Sequence, residues 1–541
     1  MKIIKQIILC GIMYVAMSIA VSAQPLLPKT GNFDPTWESL SQQYTCPDWF
    51  RDAKFGIWAH WGPNSVAEYG DWFPRRMYIQ GNNWAFTDLI PAYSYHLFKY
   101  GHPSQVGFKD LIPLFTAAKF DPEALMKFYY KAGARYFVSM AMHHDNFDMW
   151  NSKYQPWNSV NMGPKRDIVK EWQTAAKNNN MKFGVSNHGE GTWRYWEITR
   201  MADTTGPLKG VPYDGMMTKA DGKGKWWEGY DPRDLYGQPH KGAKTGEYSG
   251  PFPGRDGDQP DSLFKQSLIN RTVDLIDNYH PDLIYFDGNI PFRRLDIASY
   301  YYNQSEKWNK NGKPEVVVAI KGASSEMMSK GAVYDIENAQ SDQMRKYPWQ
   351  TDTALDGWFY TNPLYLLTSG RGPVPTRDIV LQLVDIVSKN GNLCLNINLR
   401  ADGTILAAYY KFLDEMGKWM DINGEAIHGT RPWETFGEGP TNVKTGTGNV
   451  SNRPKAFTGE DIRFTTKGNT FYAIMMAWPG KEVTIKSLPK GKKLWFGNIK
   501  DVRMLGSNGS LKWTQNENGL TVQLPAGQPC EYAFTLKITG K

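Results

Sequence analysis

Polar and ionisable side chains occur where several apolar, strand-like segments of this chain end. Asp287, for example, directly follows the apolar run Leu283-Ile284-Tyr285-Phe286 and precedes Gly288. The other segments end on His60 and Trp61, on His143, His144 and Asp145, on Asn187 and His188, and on Lys321. Four of the nine histidines of the chain lie at these positions, which packing alone does not explain. We therefore expect these side chains to form one shared site.

Two chemistries suit such a set of side chains. Histidines and an aspartate can coordinate a metal ion. Alternatively, neutral imidazoles and a lysine can hold sugar hydroxyls while a carboxylate attacks carbon. His143 and His144 are adjacent, so in a continuing strand they would point to opposite faces and chelate one ion poorly. The sequence also lacks an HExxH motif and a cysteine-rich ligand set, so we favour the metal-free sugar site and expect no metal or other cofactor.

Strand-like segments alternate with amphipathic helices from about residue 50 to residue 400, which predicts a parallel sheet with helical crossovers. The strand-like segments span residues 54–62, 134–145, 181–190, 281–289, 314–322 and 391–400. The helical patterns span residues 122–133, 167–179, 263–280 and 376–391. Six or more such units favour a (β/α)8-like barrel, in which the carboxyl ends of the strands line the active site. This fold class would bring the polar strand ends together.

Two further segments depart from the strand–helix alternation. Residues 191–260 are rich in Gly, Pro, Asp and aromatic residues, and they are too long for a simple connection, so we expect a functional loop or lid. After about residue 430, short alternating segments without long helices predict an antiparallel β-sandwich. The predicted domains are thus a barrel over residues 24–430, with the 191–260 insertion, and a sandwich over residues 431–541.

The first 23 residues have the pattern of a bacterial-type signal peptide. Lys2 and Lys5 precede the apolar run 7–21, and small residues end at Ala23. The run is too short for a transmembrane helix, and the sequence has no later apolar segment that could span a bilayer. We expect cleavage after Ala23 and export of the mature chain to the periplasm or the medium, without a membrane partner.

Composition narrows the possible partners and the means of stabilisation. The net charge is +8, and lysines and arginines are interleaved with acids rather than clustered, which argues against a nucleic-acid partner. The few cysteines predict no disulfide framework. The chain has 21 Trp, 29 Tyr and 25 Phe; these rings either build an aromatic core or line a concave site for a sugar.

Six ordered motifs resemble those of the family 29 glycoside hydrolases, the retaining α-L-fucosidases. The motifs are WFRDAKFGIWAHWG (49–62), GDWFPRRMY (70–78), HHDNFDMWNSKYQPWNS (143–159), PKRDIVKEW (164–172), PDLIYFDG (281–288) and SKNGNLCLNINLRADGTI (388–405). The resemblance covers roughly residues 35–440. It implies an exo-acting enzyme that releases terminal L-fucose from a fucosylated glycan by double displacement, through a covalent glycosyl-enzyme intermediate.

The resemblance also implies roles for individual residues. The Asp that ends the FDG strand is the family's nucleophile, which here is Asp287. The sugar-binding positions it implies are His60, Asp71, Trp72, His143, His144, His188, Lys321 and Trp358. Asp71 stands where many relatives have Glu. The expected partner of the nucleophile is a second carboxyl group, which must protonate the leaving oxygen and later deprotonate water.

The general acid/base is the position at which this chain departs from many relatives. They have Glu in a PWE motif, whereas this chain has Gln350 in YPWQTDTALDGWFY (347–360), and glutamine cannot transfer a proton. Glu337, in VYDIENAQSDQ, resembles a D-x-E segment from a branch of the family that also carries WQTD. We therefore predict Glu337 as the acid/base. The remaining candidates are Asp335, Asp352 and Glu190.

Three alternative functions stay open at this point. Gln350 is compatible with a carbohydrate-binding pseudo-enzyme that keeps the pocket but has lost proton transfer. A glycosidase for a related sugar such as galactose would use the same fold. A metal-dependent hydrolase would use the histidines as ligands and would lose activity on chelation.

Overall fold

The computed structural model of the protein describes residues 27–81, 90–237, 260–288, 290–291, 295–322, 324–364, 372–441, 443 and 457–540. Eight parallel strands form a closed barrel in chain order. They are β1 (Phe55–Ala59), β2 (Tyr136–Met142), β3 (Lys182–Asn187), β4 (Leu283–Phe286), β5 (Val317–Lys321), β6 (Val333–Asp335), β7 (Trp349–Ala354) and β8 (Gly391–Asn396). Strand β8 pairs in parallel with β1 and closes the barrel. The predicted (β/α)8-like fold is confirmed.

The helices connect the strands and cover the barrel. In the described residues they are α1 (Trp37–Gln43), α2 (Asp48–Ala53), α3 (Phe73–Arg76), α4 (Ala92–Lys99), α5 (Pro122–Lys131), α6 (Ile168–Asn178), α7 (Thr192–Tyr195), α8 (Pro232–Tyr236), α9 (Ser262–Tyr279), α10 (Leu295–Trp308), α11 (Glu326–Gly331), α12 (Thr376–Ser388) and α13 (Ala407–Asn423). Helices α5, α6 and α9 each begin after an aspartate whose carboxylate accepts a backbone N–H of the first turn. Such caps satisfy donors that the helix itself leaves unpaired.

Strands β6 and β7 were not predicted, although the other six barrel strands were. Strand β6 has three residues, and β7 has the sequence Trp-Gln-Thr-Asp-Thr-Ala. Neither has the apolar run that marked the other strands, because Asp335, Gln350 and Asp352 are buried on them. The two strands that the apolar pattern did not predict are therefore the ones with these polar side chains inside the protein.

The barrel encloses a small hydrophobic cluster of its own. It includes Trp58, Tyr136, Tyr285, Val317, Ala319, Val333 and Cys394. A much larger cluster lies between the strands and the surrounding helices. Burial on both sides explains why most barrel strands are continuously apolar. It also makes the strands rigid supports for side chains that follow their carboxyl ends.

Two antiparallel sheets follow the barrel. Their strands are β9 (Arg431–Glu438), β10 (Ile462–Lys467), β11 (Thr470–Met475), β12 (Glu482–Ile485), β13 (Ile499–Met504), β14 (Trp513–Asn516), β15 (Gly519–Gln523) and β16 (Phe534–Gly540). One sheet has the order β13-β16-β11-β10-β9 and the other β12-β15-β14. Side chains from both sheets share one hydrophobic cluster, so they form the predicted sandwich.

The insertion after β3 is fixed to the barrel as far as residue 237. Asp214 accepts hydrogen bonds from Tyr78 and Tyr236, and it forms a buried ion pair with Lys109. Such a network holds this part of the insertion in place beside the segment around Tyr78. Residues 238–259 of the predicted loop lie outside the described residues, as does the predicted signal peptide. No helix among the described residues has the length and apolarity needed to cross a membrane.

Candidate active site

Asp287 is held at the carboxyl end of β4 by three basic side chains. Its Oδ1 lies 2.6 Å from Nζ of Lys321, and its Oδ2 lies 3.4 Å from both His144 and His188. Gly288 follows with a φ of 126°, a conformation that favours glycine. Burial alone would raise the pKa of Asp287, but Lys321 and the histidines hold that pKa well below its ordinary value. Asp287 is therefore an ionised carboxylate with a fixed orientation.

Glu337 contacts the same ammonium group as Asp287. Its Oε2 lies 2.8 Å from Nζ of Lys321. The two carboxylate oxygens that share Nζ are no farther apart than the sum of their distances to it, 2.6 and 2.8 Å. This upper limit agrees with the distance of about 5–5.5 Å between the two carboxyl groups of retaining glycosidases. It is shorter than the distance of roughly 6.5–9.5 Å between those of inverting enzymes.

The pKa values of Glu337 and Asp287 are shifted in opposite directions. Burial raises the pKa of Glu337, and the carboxylates of Asp352 and Asp287 raise it further, while Lys321 opposes them. One carboxyl group of the pair thus favours its protonated form and the other its ionised form. Two carboxyl groups whose environments separate their pKa values in this way can divide the roles of acid and nucleophile.

The other acid/base candidates are placed less favourably than Glu337. The side chain of Asp352 is 1% exposed, against 36% for Glu337, so it lies below the site rather than facing it. Asp335 is buried and accepts a hydrogen bond of 2.6 Å from Gln350. Glu190 is exposed in the turn Gly189–Gly191. Gln350 points into the barrel interior, where Tyr136 donates to its Oε1 at 2.7 Å.

Four histidines meet beside Asp287, as the strand ends predicted. The ring of His143 lies 5.9 Å from that of His60 and 4.9 Å from that of His188, between centroids. His144 Nδ1 lies 2.8 Å from the carbonyl oxygen of His188. Strand β2 ends at Met142, which allows both adjacent histidines to turn into the pocket. The alternation that would point them to opposite faces applies only within a continuing strand, so it does not apply to this pair.

Three of these imidazoles are kept neutral by burial. Burial is the largest cause that lowers the pKa of His60, His143 and His188, and neighbouring imidazoles lower those of His60 and His143 further. Neutral imidazoles can donate and accept hydrogen bonds, which suits recognition of sugar hydroxyls. Asp287 opposes the effect of burial on all three pKa values, and it is the second-largest influence on that of His188.

Asn396 positions one wall of the pocket, and the sequence did not single it out. Its Oδ1 lies 2.9 Å from Nδ1 of His60, and its Nδ2 donates to the carbonyl oxygen of Trp358 at 2.8 Å. The ring of Trp358 lies 5.0 Å from that of His60. Asn396 ends β8, so it follows the same strand-end pattern and could have been found by it. Phe359 completes this wall, 4.8 Å from His143 between ring centroids.

Trp72 and Asp71 form the opposite side of the pocket. Trp72 has a φ of 62°, a left-handed conformation that is unfavourable for a bulky residue and is concentrated at functional sites. Its ring lies 5.1 Å from that of His144 and 5.4 Å from that of Tyr195. Asp71 Oδ1 accepts the backbone N–H of Trp72 at 2.9 Å. Burial raises the pKa of Asp71 to about 6, and the nearby charges of Glu337 and Asp287 contribute.

The histidine cluster also has the geometry to hold a metal ion. The ligand atoms of His60, His143 and His188 lie within 4.8 Å of one another, as do those of His144, His188 and Asp287. Three neutral imidazoles are a ligand set that Zn²⁺ accepts. The Lys321 ammonium, 2.6 Å from Asp287, already supplies the positive charge beside the carboxylate in the second group.

Comparison with known proteins identifies related chains over almost the whole length. A model of the α-L-fucosidase family matches residues 20–425, and a model of the α-L-fucosidase C-terminal domain matches residues 455–539. The chain is similar to the tissue α-L-fucosidase of Mus musculus, with 28% identity over 522 residues and 94% of both chains covered. It is also similar to the plasma α-L-fucosidase of Homo sapiens, with 26% identity over 531 residues, 94% of this chain and 92% of that protein.

Solved structures show the same fold. The crystal structure of Thermotoga maritima α-fucosidase in complex with fucose superposes with a TM-score of 0.65 at 23% identity, covering 93% of this chain and 99% of that chain. α-L-Fucosidase isoenzyme 1 from Paenibacillus thiaminolyticus gives a TM-score of 0.60 at 18% identity, covering 93% and 99%. At these identities, the likeness is evidence for the architecture of barrel and C-terminal sheets.

Proposed function

The chain belongs to the α-L-fucosidase family, and we propose that its reaction uses Asp287 as nucleophile and Glu337 as general acid and base. The family model covers the whole barrel. The protein is thus a glycoside hydrolase, an exo-acting retaining α-L-fucosidase that releases terminal L-fucose by double displacement. The observation that carries the residue assignment is the contact of both carboxyl groups with Lys321.

In the first step, a carboxylate oxygen of Asp287 attacks the anomeric carbon of the α-L-fucoside. The bond from that carbon to the glycosidic oxygen breaks, and Glu337 transfers its proton to the departing oxygen. The products of this step are a free aglycone and a β-linked fucosyl ester of Asp287. This step requires an ionised nucleophile and a protonated acid. The lowered pKa of Asp287 favours the first, and the raised pKa of Glu337 favours the second.

In the second step, Glu337 is a carboxylate and acts as base. It takes a proton from a water molecule, whose oxygen attacks the anomeric carbon from the face that the aglycone left. The ester bond breaks, Asp287 is released as a carboxylate and Glu337 is protonated again. Two inversions at one carbon give fucose with the α configuration of the substrate.

The side chains around this pair suit the hydroxyl groups and the apolar faces of a sugar. His60, His143, His144 and His188 present imidazoles to the space beside Asp287, and these can hold hydroxyl groups. Trp72 and Trp358 are partly buried rings on opposite sides of the histidines, and such rings pack on the apolar faces of sugars. Asp71 adds a carboxyl group on the Trp72 side.

Export of the mature chain is part of the proposal. A fucosidase that acts on glycans outside the cell needs a leader, and residues 1–23 have the pattern of one. We expect N-terminal sequencing of the exported enzyme to begin at Gln24. Recovery in the periplasmic fraction or in the medium would distinguish the two destinations.

Azide rescue of two alanine variants tests both catalytic roles at once. The substrate is an aryl α-L-fucoside, whose leaving group departs without protonation. In Glu337→Ala, the fucosyl-enzyme accumulates because water lacks its base, and azide attacks it to give α-fucosyl azide. In Asp287→Ala, azide occupies the space of the missing carboxylate and attacks the substrate directly, which gives β-fucosyl azide.

The configuration of the azide product decides the assignment. The proposed roles predict opposite configurations from the two variants, with wild type giving fucose in both the presence and the absence of azide. Full activity of Glu337→Ala without azide would refute the acid/base assignment, and Asp352→Ala and Glu190→Ala would then be examined. A β product from Glu337→Ala would mean that the roles are exchanged.

A further inference from the structure

A connected set of polar side chains lies inside the barrel, directly beneath Lys321. Tyr136 donates to Gln350 Oε1 at 2.7 Å, and Gln350 Nε2 donates to Asp335 Oδ2 at 2.6 Å. Tyr285 donates to Asp352 Oδ2 at 3.0 Å, and the same oxygen lies 3.8 Å from Nζ of Lys321. Buried polar groups are costly unless they are hydrogen-bonded, so the members of this set must satisfy one another.

The contact between Asp335 and Asp352 requires a proton. Among the described residues, Oδ1 of each side chain is buried without a hydrogen-bond donor, and the two side chains lie close enough for Asp352 to raise the pKa of Asp335 by a side-chain hydrogen bond as well as by its charge. Strand register agrees, since Asp335 pairs with Gln350, two residues before Asp352 on β7. Two ionised carboxylates cannot hydrogen-bond, so one of them must be a carboxylic acid.

The proton resides on Asp335. Burial raises the pKa of Asp335 well above its ordinary value, and the Asp352 carboxylate raises it further. Asp352, with its Oδ2 3.8 Å from Nζ of Lys321, is within ion-pair distance of the ammonium group. The arrangement resembles other pairs of buried carboxyl groups that share a single proton.

We propose that Asp335 and Asp352 share one proton and that the single charge left on Asp352 positions Lys321 and keeps Glu337 in its acid form before the first step. This proposal rests on the proposed role of Glu337. Asp352 does not touch the substrate, because its side chain is 1% exposed. It acts through Lys321 and through its electrostatic effect on Glu337, and it is therefore a positioning residue.

The charges around Glu337 come from several elements of the barrel. They are Lys321 on β5, Asp287 after β4, Asp352 on β7 and Asp71 before α3. Asp335, the last residue of β6, is titratable but neutral in this arrangement. Lys321 favours the ionised form of Glu337, whereas the carboxylates of Asp352 and Asp287 favour the protonated form. Removing the charge of Asp352 therefore lowers the pKa of Glu337. The alkaline limb of the pH profile, where the acid loses its proton, then moves to lower pH.

The hydrogen bonds of Gln350 explain why an amide, rather than a carboxyl group, is present at position 350. Its amide group donates to Asp335 while its oxygen accepts from Tyr136. A glutamate at this position could not donate when ionised, and it would add a third carboxyl group to the pair. With Glu337 as the acid/base, this chain can use the amide of Gln350 to orient Asp335.

Two asparagine variants separate the charge of the pair from its hydrogen bonds. In Asp335→Asn, the amide supplies one donor to Asp352 and one acceptor to Gln350, as the carboxylic acid does, and the charge of Asp352 stays. In Asp352→Asn, the charge disappears from beside Lys321. We expect the alkaline limb of kcat/KM against pH to move down by about one unit in Asp352→Asn. We expect a much smaller shift in Asp335→Asn.

An infrared measurement tests the shared proton without reference to catalysis. The wild-type spectrum minus that of Asp335→Asn at pH 8 should contain the C=O stretching band of a carboxylic acid. Absence of that band, or equal shifts of the alkaline limb in both variants, would overturn the proposal. If Asp352→Asn does not fold, the band still decides whether the proton is shared. If the protein has no fucosidase activity, the proposed function fails, while the band still reports on the pair.

Discussion

The ammonium nitrogen of Lys321 lies 2.6 Å from Oδ1 of Asp287, and this contact keeps the carboxyl group of Asp287, the proposed nucleophile, ionised in a partly enclosed pocket. The same nitrogen lies 2.8 Å from Glu337. Lys321 therefore separates the two carboxyl groups that we propose to be catalytic, and it also supplies a positive charge to both. Its removal should affect the protonation of both.

Replacement of Lys321 by methionine should move the acidic limb of kcat/KM against pH to higher pH. Lys321 lowers the pKa of Asp287, so without it the nucleophile remains protonated to a higher pH and is inactive there. Loss of an adjacent cation shifts a carboxyl pKa by about 1–3 units. Lys321→Arg keeps the charge and is the matched control, with its acidic limb near that of wild type. An unchanged acidic limb in Lys321→Met would contradict this account of Asp287.

The loss caused by Glu337→Gln should depend on the leaving group. General acid catalysis contributes about 10²–10⁴-fold to such reactions. For a fucosyl disaccharide, whose leaving group must be protonated, kcat/KM should fall by a factor in that range. For an aryl fucoside with an acidic phenol, the first step needs no proton, so kcat/KM should fall far less. Equal losses for both substrates would show that Glu337 does not protonate the leaving oxygen.

Chelation should leave the activity unchanged. The histidines could hold a metal ion, but the proposed steps use only Asp287, Glu337 and water. Dialysis against EDTA followed by assay on an aryl α-L-fucoside checks this directly. The account is wrong if activity disappears and returns when Zn²⁺ is added, because the histidines would then be catalytic ligands.

Removal of Asp385 should destabilise the protein more than removal of Arg463. Asp385 on α12 forms buried ion pairs with Lys389 and with Arg463 of the C-terminal sheet, both at 2.7 Å. Asp385→Ala leaves two buried cations without their partner, which costs about 3–5 kcal/mol of the free energy of unfolding. Arg463→Ala leaves the Asp385–Lys389 pair intact and should cost less.

Urea denaturation of the two variants measures this difference. Asp414→Ala, which removes an exposed partner of Lys418, is the control. Its urea midpoint should equal that of wild type, because exposed ion pairs contribute little to stability. If Arg463→Ala proved the less stable of the two variants, the main role of Asp385 would not be to neutralise both cations.

Much of this site could be predicted because strand ends are visible in a sequence. Asp287 and His188 each follow a buried apolar run, and the barrel brings such ends to one face. The sequence pattern alone does not show that His143 and His144 both face the pocket, because this depends on β2 ending at Met142. A pattern of alternating side chains does not show the residue at which a strand ends.

The interior pair could not be predicted from apolar patterns. Strands β6 and β7 have their buried positions filled by Asp335, Gln350 and Asp352, so they resemble solvent-exposed segments. Only the closed barrel shows that these polar groups satisfy one another. Asn396 lies at a strand end like the predicted residues, but its role depends on the fold of the segment around Trp358.

Trapping of the covalent intermediate tests the central claim most directly. A 2-deoxy-2-fluoro-L-fucosyl fluoride slows both steps, while its good leaving group keeps the first step faster than the second, so the fucosyl-enzyme accumulates. Proteolysis and peptide mass spectrometry then locate the sugar. The account predicts one fluorofucosyl group per chain, as an ester of Asp287. A label on Glu337 or on any other residue would contradict it.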